Sequence, residues 1–384
     1  MKNGLLTGFC MLALGAVAAQ APRPGDCDRH DGTQLAIGSD LKGVGTKEQS
    51  PADSVRPTPI IVDTDLGGDV DDVLAIRTLC YFEHVGTIKI VMVASSLANP
   101  TTDVVPGISA LLQYDGCLDV PICLRKEPKG TSNGYLSVIS RYPHYANKAA
   151  SDNAVSAYRK ALSTLTGKCT IIMIGTYTNL SDLLNSDPDE HSDKNGIDLV
   201  KEHVKNIYLM GGAFPDSKSW MNTGRGGVVG AEWNIVGDRI ASKNVIDNCP
   251  VPMIFCGWEI GYAVKCGGGI KEKLPTKDIM IAAMNKWGAG TLSHGRDGYD
   301  PITVAAGCVG ETMKMGIELV RGTVSFDSDT GFTSFSENEK GTHFYMKLPY
   351  ADIKNDDGYY SYHNIDHYKI YMNHILSKDW WGNK

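Results

Sequence analysis

Five aspartates at one strand-to-helix turn constrain this chain more than any other feature. Residues 60–62 are β-branched and typical of a buried strand, and the apolar spacing from Val73 to Cys80 is typical of a helix packed back on a sheet. Gly67 and Gly68 allow a sharp turn between them. The acids that crowd this turn are Asp63, Asp65, Asp69, Asp71 and Asp72. Like charges this close raise one another's pKa values, and a hard cation with oxygen ligands is the simplest way to hold them together.

Two simpler interpretations of the acidic turn explain less. A helix N-cap on a surface loop accounts for Asp71 or Asp72 alone, because an acid at a helix start interacts favourably with the helix dipole. An EF-hand loop is excluded, because its bidentate Glu would fall on Leu74. The pattern therefore favours a metal or catalytic site.

Short apolar runs alternate with helical patterns along most of the chain. The predicted strands are residues 60–63, 88–94, 170–174, 206–210 and 251–256. The predicted helices are residues 72–82, 104–114, 153–165, 238–247, 276–287, 301–315 and 362–376. Apolar strands separated by helices indicate an α/β fold, an open and mostly parallel sheet with helices on both faces. Residues 317–350 alternate apolar and polar instead, which predicts β-hairpins.

The predicted strands end in small or polar residues. Asn99 follows the second strand, and Thr178 follows the third within a Gly-Thr-Tyr-Thr-Asn run. Ligands of open α/β sheets gather at the carboxyl ends of the strands, so both residues are candidates for a binding site. Gly-rich loops are common in any α/β protein, so neither residue would indicate a site alone.

Length and charge limit the class of protein. The chain has 384 residues and a net charge of −7, which does not indicate a nucleic-acid surface. Residues 1–21 have a short basic start, an apolar run and small residues for cleavage, so they predict a secretory signal peptide. We expect a secreted protein with no membrane segment in its mature form, an uncleaved anchor being the weaker alternative. Residues 22–58 lack any periodic pattern, which predicts a flexible segment. Residues 59–376 are predicted to form a single folded domain.

Export has consequences for cysteines and for one asparagine. Cys117 with Cys123, and members of the group Cys249, Cys256 and Cys266, are the local candidates for disulfides in an oxidising compartment. Asn179 begins the one glycosylation sequon, but it follows a predicted strand in a candidate site. We therefore expect Asn179 to be unmodified.

Two later clusters carry chemistry. Glu232 and Asn234 alternate with apolar residues, so an extended segment would point both toward one ligand, where they can bind adjacent hydroxyls; a surface strand is the alternative. Asn222 is a weaker candidate upstream. Asp300 precedes Pro301 at a helix start, an arrangement that an N-cap with proline at the first helical position explains equally well.

These clusters in this order resemble the nucleoside hydrolase family, of the inosine/uridine-preferring type. The five motifs are Asp63-Thr-Asp65 with Asp71-Asp72, Gly175 to Leu180, Met210-Gly-Gly212, Glu232-Trp-Asn234 and Asp300-Pro301. The segment Leu319 to Asp327 also looks like the family's late strand. Each motif is weak alone, but five in the same order are fairly specific. The resemblance covers residues 59–376 and implies a Rossmann-like catalytic domain of that family.

The resemblance also implies a Ca²⁺ site and a nucleoside as the small-molecule substrate. Carried over by position, the metal ligands are Asp65, Asp72, the Thr178 carbonyl and Asp300. The residues that would grip the ribose are Asp71, Asn99, Asn222, Glu232, Asn234 and Asp300. Water activated by Ca²⁺ would attack the anomeric carbon, with Asp65 as general base. A homo-oligomer and a role in purine or pyrimidine salvage are further implications.

Two departures from the family pattern concern the same site. The acidic turn is two residues longer than usual, which makes Asp69 an extra carboxylate. Tyr299 occupies the position of the family's histidine that acts on the leaving base, so it is the catalytic candidate by position. A tyrosine of ordinary pKa is a poor acid at neutral pH, and His294, Arg296 or stacking on Trp258 are the alternatives.

Two other functions compete with nucleoside hydrolysis. A strand-end Asp-x-Asp is also similar to haloacid-dehalogenase-type phosphatases, which use Mg²⁺, but that interpretation leaves Glu232, Asn234 and Asp300 unexplained. The other alternative is a secreted nucleoside- or sugar-binding protein that has kept the site but does not turn over its ligand. The replacement of the family's histidine by Tyr299 is the reason to consider it.

Overall fold

The computed structural model describes most of the predicted domain. The described residues are 56–97, 103–125, 127, 134–146, 152–214, 231–288, 290–310, 316–348, 350–354, 360–362 and 365–378. All of them belong to one compact unit, Ser54–Lys384. The predicted signal peptide at 1–21, most of the predicted flexible segment at 22–58, Asn99 and Asn222 lie outside the described residues.

One large sheet organises the described part of the chain. Its strands are β1 (Thr58–Thr64), β2 (Ile88–Ser95), β3 (Ile122–Leu124), β4 (Asp152–Asn153), β5 (Cys169–Ile174), β6 (Val204–Met210), β7 (Met253–Cys256), β10 (Glu318–Phe326), β11 (Thr333–Glu337) and β12 (His343–Lys347). They are ordered β11-β10-β12-β7-β6-β5-β1-β2-β3-β4. Neighbours from β12 to β4 are parallel, and β10 is antiparallel to both β11 and β12. Two small antiparallel pairs lie apart, β8 (Lys265–Cys266) with β9 (Arg296–Asp297), and β13 (Tyr350–Lys354) with β14 (Tyr360–Tyr362).

Helices connect the strands. Those in the first half are α1 (Asp71–His84), α2 (Val104–Tyr114), α3 (Leu136–Ile139), α4 (Ala154–Thr164), α5 (Thr178–Leu184) and α6 (Gly196–His203). Those in the second half are α7 (Trp233–Gly237), α8 (Arg239–Asn248), α9 (Trp258–Ala263), α10 (Ile279–Trp287), α11 (Thr291–His294), α12 (Tyr299–Val309) and α13 (Ile365–Leu376). A 3-10 turn covers Ile270–Glu272. No helix among these described segments is both long and apolar enough to cross a membrane.

Two hydrophobic cores cover the two faces of the sheet. Ile60 and Val62 of β1 pack with α1, α2, α10 and α12 on one face, while Ile61 packs with α4, α5, α6 and α8 on the other. Alternate side chains of a strand point to opposite faces, and the apolar run of β1 therefore serves both cores. This confirms the predicted α/β fold with helices on both faces.

The strand register brings the site to one edge of the sheet. Thr64, the last residue of β1, pairs with Ser95 at the end of β2 and with Ile174 at the end of β5. The five predicted strands and the seven predicted helices are present, α2 with the predicted bounds and the others with at least one end shifted. The β10–β11 hairpin is confirmed, but β12 pairs with the far edge of β10 and joins it to β7.

The cysteine prediction is wrong for the described part of the chain. Cys80, Cys117, Cys169, Cys249, Cys256, Cys266 and Cys308 are free thiols, and all of these but Cys249 are buried. Cys117 precedes β3, and Cys123 lies within it. Their closeness in sequence, which suggested a disulfide, reflects only the short segment that leads into β3. Free buried cysteines behave as small apolar side chains.

Candidate active site

Three carboxylates meet at the carboxyl edge of the sheet. One oxygen from each of Asp65, Asp72 and Asp300 lies within 4.8 Å of the other two. Asp65 follows β1, Asp72 lies in the first turn of α1, and Asp300 lies in the first turn of α12. Asp72 and Asp300 are buried, and Asp65 is partly exposed. Residues from distant parts of the sequence therefore form one oxygen-rich centre.

The turn that carries Asp65 is shaped by close backbone contacts. Gly67 has a φ of +122°, and a Cβ atom there would lie 2.7 Å from Leu136 Cδ1, so a larger residue does not fit. The Tyr135 hydroxyl accepts a hydrogen bond from Gly67 N and donates one to the Asp69 carbonyl, each 2.6 Å long. The Thr64 hydroxyl donates to Asp72 Oδ1. These contacts fix Asp72 relative to β1 despite the longer turn.

The remaining acids of the turn have separate partners, so the expectation that one cation gathers all five is wrong. Asp63 accepts hydrogen bonds from the Tyr158 hydroxyl at 3.0 Å and from Asn179 Nδ2 at 3.0 and 3.2 Å. Asp69 forms an ion pair with Arg296. Asp71 Oδ2 accepts the Asp300 backbone N–H at 3.2 Å. Alternation along β1 and the helical turn of α1 separate these side chains.

Ionisation of all three clustered carboxyl groups at once is unfavourable, because each negative charge repels the other two. Burial, and then the charge of Glu232, raise the pKa of Asp65 to about 7. Burial together with neighbouring carboxylates raises the pKa of Asp72 and of Asp300 well above the ordinary range. Asp72 Oδ2 is buried and has no hydrogen-bond partner in the described part of the chain. A divalent cation would satisfy that oxygen and remove the repulsion.

The Glu232 segment is helical, so the prediction of an extended segment is wrong. Glu232 is the N-cap of α7, and its oxygens accept hydrogen bonds from the backbone N–H groups of Gly212, Asn234 and Ile235 at 2.8–3.2 Å. Asn234 Nδ2 donates to the Met210 carbonyl at 3.2 Å. Burial still raises the pKa of Glu232 to about 7, although these hydrogen bonds oppose the shift. Both side chains are thus held at the end of β6, beside Asp65.

Thr178 is the first residue of α5, directly after the loop that follows β5. Its hydroxyl donates to Asp238 Oδ2 at 2.7 Å and lies 3.2 Å from the Thr176 hydroxyl. Nearby, a Cβ on Gly175 would lie 2.7 Å from the Asp65 backbone nitrogen, so β5 approaches the acidic turn closely. Asn179 is buried beneath Asp63, which agrees with the expectation that its sequon is unmodified.

Tyr299 stands at the start of α12 rather than before it, and Asp300 is therefore not the N-cap, contrary to one interpretation of the sequence. Gly298 caps the helix, and Asp300 turns inward to the carboxylate cluster. The Tyr299 hydroxyl donates to Asp297 Oδ2 at 3.3 Å. Burial raises the Tyr299 pKa above its ordinary value, although the Arg296 charge opposes this.

Aromatic and basic side chains surround Tyr299. Trp258 stacks on Tyr262 with ring centroids 4.6 Å apart, and the centroids of Trp258 and Tyr299 are 6.3 Å apart. Arg296 Cζ lies 5.9 Å from the centre of the Tyr299 ring. His294, by contrast, is exposed and its Nδ1 lies 3.2 Å from the Gly290 carbonyl. Trp258 and Arg296 therefore remain the better placed of the three alternatives.

Comparison with known proteins identifies the family. The family model described as inosine-uridine preferring nucleoside hydrolase matches residues 60–349. The chain belongs to this family. The match confirms the resemblance inferred from the sequence motifs and includes every candidate site residue.

Solved structures of nucleoside hydrolases share the fold at low sequence identity. A plant nucleoside hydrolase, PpNRh1, is 19% identical with a TM-score of 0.58, over 84% of this chain and 99% of that one. The inosine-uridine preferring nucleoside hydrolase of Bacillus anthracis is 14% identical with a TM-score of 0.59, over 84% and 99%. The type III effector protein XopQ, complexed with adenosine diphosphate ribose, is 16% identical with a TM-score of 0.59, over 84% and 94%. No curated protein matches the chain.

Several contacts in this nucleoside hydrolase site were not predicted from the sequence. They are the hydrogen bonds of Tyr135 to the acidic turn, of Thr64 to Asp72 and of Thr178 to Asp238, and the ion pair of Asp69 with Arg296. The unusual length of the acidic turn was the one available signal, because extra residues next to a cluster of carboxylates need contacts that hold them in place. Nothing in the local sequence indicated where that support comes from.

Proposed function

We propose that the protein hydrolyses the N-glycosidic bond of ribonucleosides to ribose and free base, at a Ca²⁺ site. The observation that carries this proposal is the convergence of Asp65, Asp72 and Asp300 within 4.8 Å, in a chain of the nucleoside hydrolase family. The unsatisfied Asp72 Oδ2 and the all-oxygen donor set suit a hard cation. Asp65, Asp72, Asp300 and the Thr178 carbonyl would hold it.

Asp65 is the residue best placed to act as general base. When bound, Ca²⁺ supplies Lewis-acid chemistry, because it lowers the pKa of a nearby water and offsets the charge of the carboxylates. Asp65 is the partly exposed member of the cluster, so it can accept a proton from the attacking water. Its pKa of about 7 before metal binding reflects burial and Glu232, which a cation would counteract.

Carboxylates around the reacting sugar would stabilise its developing positive charge. Bond cleavage gives the ribosyl group oxocarbenium character, and anionic side chains lower the energy of such a species. Asp71, Glu232, Asn234 and Asp300 would contact the ribose hydroxyls, as would Asn99 and Asn222. Asp71 and Glu232 are already oriented by backbone N–H groups, which favours a preorganised site.

The leaving base would lie against the aromatic side of the site. Tyr299 lies beside Trp258 and Arg296, and its hydroxyl donates a hydrogen bond to Asp297. Because burial raises the Tyr299 pKa, proton donation from this hydroxyl to the base is weak at neutral pH. Stacking on Trp258 and the positive charge of Arg296 would supply the remaining stabilisation of the departing base.

We also propose that the protein is exported, that it assembles as a homo-oligomer and that it acts in purine or pyrimidine salvage. The basic and apolar start of the sequence supports export. A net charge of −7 argues against nucleic acid as a partner.

A second candidate function is nucleoside or sugar binding without turnover. The observation that favours it is Tyr299, a weak acid at the position where the family has histidine. The two functions predict the same bound ligand, but only the first predicts a product.

Incubation of the protein with nucleosides and Ca²⁺ tests both functions. The panel consists of inosine, uridine, adenosine, p-nitrophenyl riboside and, because a structural neighbour was solved with it, adenosine diphosphate ribose. We expect free base or nitrophenol together with ribose, and loss of both after treatment with a chelator. Binding by calorimetry without product supports the second function. In a separate incubation with p-nitrophenyl phosphate, release of phosphate would instead indicate a phosphatase.

A further inference from the structure

Asp69 and Arg296 join two parts of the chain that lie 227 positions apart. Arg296 Nε lies 2.8 Å from Asp69 Oδ1 and 3.1 Å from Asp69 Oδ2, and Arg296 Nη2 also contacts Oδ2. A guanidinium that meets a carboxylate through two nitrogens fixes orientation as well as distance. The ion pair therefore couples the turn after β1 to strand β9 in one geometry.

Asp69 is held from a second side through Tyr135. The buried Tyr135 hydroxyl bonds to the Asp69 carbonyl, and its ring lies edge-on to Trp287 with centroids 6.3 Å apart. Trp287 in turn lies 5.9 Å from Arg296 Cζ. The extra residue of the acidic turn is thus anchored through both its main chain and its side chain.

Arg296 connects the two sides of the carboxylate cluster. Asp65 and Asp72 belong to the β1–α1 side, and Asp300 follows β9 by three residues. The same guanidinium donates from Nη1 to Asp297 Oδ2 at 2.9 Å, on the Asp300 side. Because the three clustered carboxylates repel one another, a contact that spans both sides opposes their separation.

We propose that Asp69 and Arg296 are a positioning pair that holds the two sides of the site together and so sets its affinity for a divalent cation. The proposal rests on the proposed function in one respect, that Asp65, Asp72 and Asp300 hold the cation. The pair itself stays outside the cluster, since neither residue contributes a ligand atom to it.

A positioning role and a simple charge effect predict different results. If only charge mattered, Asp69→Asn would weaken cation binding, Arg296→Gln would strengthen it and Arg296→Lys would leave it unchanged. If the geometry of the pair matters, all three substitutions weaken binding, because lysine keeps the charge and loses the two-nitrogen contact. The sign of the Arg296→Gln effect therefore separates the two explanations.

Calorimetric titration of the full-length protein with CaCl₂ is the test. We expect Asp69→Asn and Arg296→Gln each to raise the dissociation constant for Ca²⁺ by about tenfold or more, the range seen when residues that support metal ligands are removed. The dissociation constant of Arg296→Lys for Ca²⁺ should lie between those of these variants and that of the unsubstituted protein. The double variant Asp69→Asn with Arg296→Gln should bind no more weakly than the weaker single variant, because both remove one contact.

Lys265→Gln is the matched control. Lys265 contacts Asp297 on the other oxygen, so its removal deletes a nearby positive charge without breaking the connection to Asp69. We expect Lys265→Gln to bind Ca²⁺ with an unchanged or slightly higher affinity. Near-ultraviolet circular dichroism without Ca²⁺ verifies that each variant is folded. Arg296→Lys, for which the two explanations also predict different results, covers the case of an unstable Arg296→Gln variant.

Each outcome bears on one proposal. Unchanged or tighter Ca²⁺ binding in Arg296→Gln and Arg296→Lys would overturn the positioning pair and leave the metal site standing. An unsubstituted protein that does not bind Ca²⁺ would overturn the metal site, and the positioning pair with it.

Discussion

At the scale of single residues, the aspartates of the acidic turn differ in their partners and burial although their side chains are identical. Asp63 bonds to Tyr158 and Asn179, Asp69 pairs with Arg296, and Asp65 alone of the turn's acids is both clustered and partly exposed. Through the family resemblance, the Asp-Thr-Asp and Asp-Asp motifs predicted that Asp65 and Asp72 meet Asp300, but they also contain Asp63 and Asp71, which lie outside the cluster. They could not predict the partners of Asp63 and Asp69, because those partners come from remote segments and leave no local pattern.

Asp65→Asn is expected to abolish turnover and to leave the fold intact. Asparagine keeps the shape of the side chain but cannot accept a proton from water, and general-base catalysis contributes about 10²–10⁴-fold to rate. We expect kcat for nucleoside hydrolysis to fall by at least about 10²-fold with an unchanged circular dichroism spectrum. Asp329→Asn, on the exposed β10–β11 turn, is the control. An active Asp65→Asn protein would refute the general-base role.

Tyr299→Phe is expected to lower kcat by less than about tenfold. The raised Tyr299 pKa keeps the hydroxyl protonated and bound to Asp297, so its loss removes an orienting hydrogen bond rather than an acid. Tyr262→Phe, in the same aromatic group, is the control. A loss beyond about 10²-fold, accompanied by a changed alkaline limb of the pH–rate profile, would show that Tyr299 is the acid after all.

At the scale of elements, strand ends and helix starts converge on the carboxylate cluster. The first turns of α1 and α12 carry Asp72 and Asp300, and helix N-termini favour negative charge. Apolar runs predicted the long parallel strands, because both faces of β1, β5 and β6 are buried. The three-residue β3 and two-residue β4 are too short to give such a pattern.

The α7 segment shows how a local pattern can mislead. Glu232 and Asn234 alternate with Trp233 and Ile235 as in a strand, yet Glu232 begins a helical turn by capping it. Trp233 is 71% exposed, so the alternation does not reflect a two-sided strand environment. Tertiary contacts with Gly212 and Met210 decide the conformation, and those contacts are not visible in a five-residue window.

Gly175→Ala is expected to disturb the approach of β5 to the acidic turn. The new Cβ would lie 2.6 Å from Ser96 Oγ and 2.7 Å from the Asp65 backbone nitrogen, so one of these neighbours must move. Overpacking of this kind costs about 1–3 kcal/mol, and displacement of Asp65 should also weaken Ca²⁺ binding. Gly167→Ala, where nothing lies within 4 Å, is the control. Equal chemical denaturation midpoints for the two variants would contradict the close approach.

At the scale of the whole molecule, unfolding should depend on both pH and metal. The folded pKa values of Asp63, Asp65 and Glu232 are raised to about 7, and those of Asp71, Asp72 and Asp300 are also raised. For acids raised on folding, the stabilising contribution is present at low pH and is lost as pH rises through the folded pKa. Buried His343 has a lowered pKa, so its contribution to stability increases with pH, but between pH 5.5 and 8 it is one group against six. The lowered pKa values of Asp189 and Asp327 affect stability only below that range.

The metal-free protein should therefore unfold at a lower temperature at pH 8 than at pH 5.5, by more than about 5 °C given the number of shifted groups. Ca²⁺ should raise the melting temperature at pH 8 and have much less effect at pH 5.5, where protons compete for the same oxygens. Differential scanning calorimetry with chelator and with CaCl₂ at both pH values measures this. A melting temperature independent of pH in chelator would contradict the electrostatics of the cluster.

The burial of Asn179 restricts how this polypeptide can be made. Its amide nitrogen is committed to Asp63 inside the sheet–helix junction, with no room for an oligosaccharide. A host whose glycosyltransferase attaches sugar to nascent chains would compete with folding for that one atom, and every modified copy would be unable to join α5 to β1. Synthesis where that enzyme is absent should therefore give a higher yield of native protein than passage through a glycosylating secretory route.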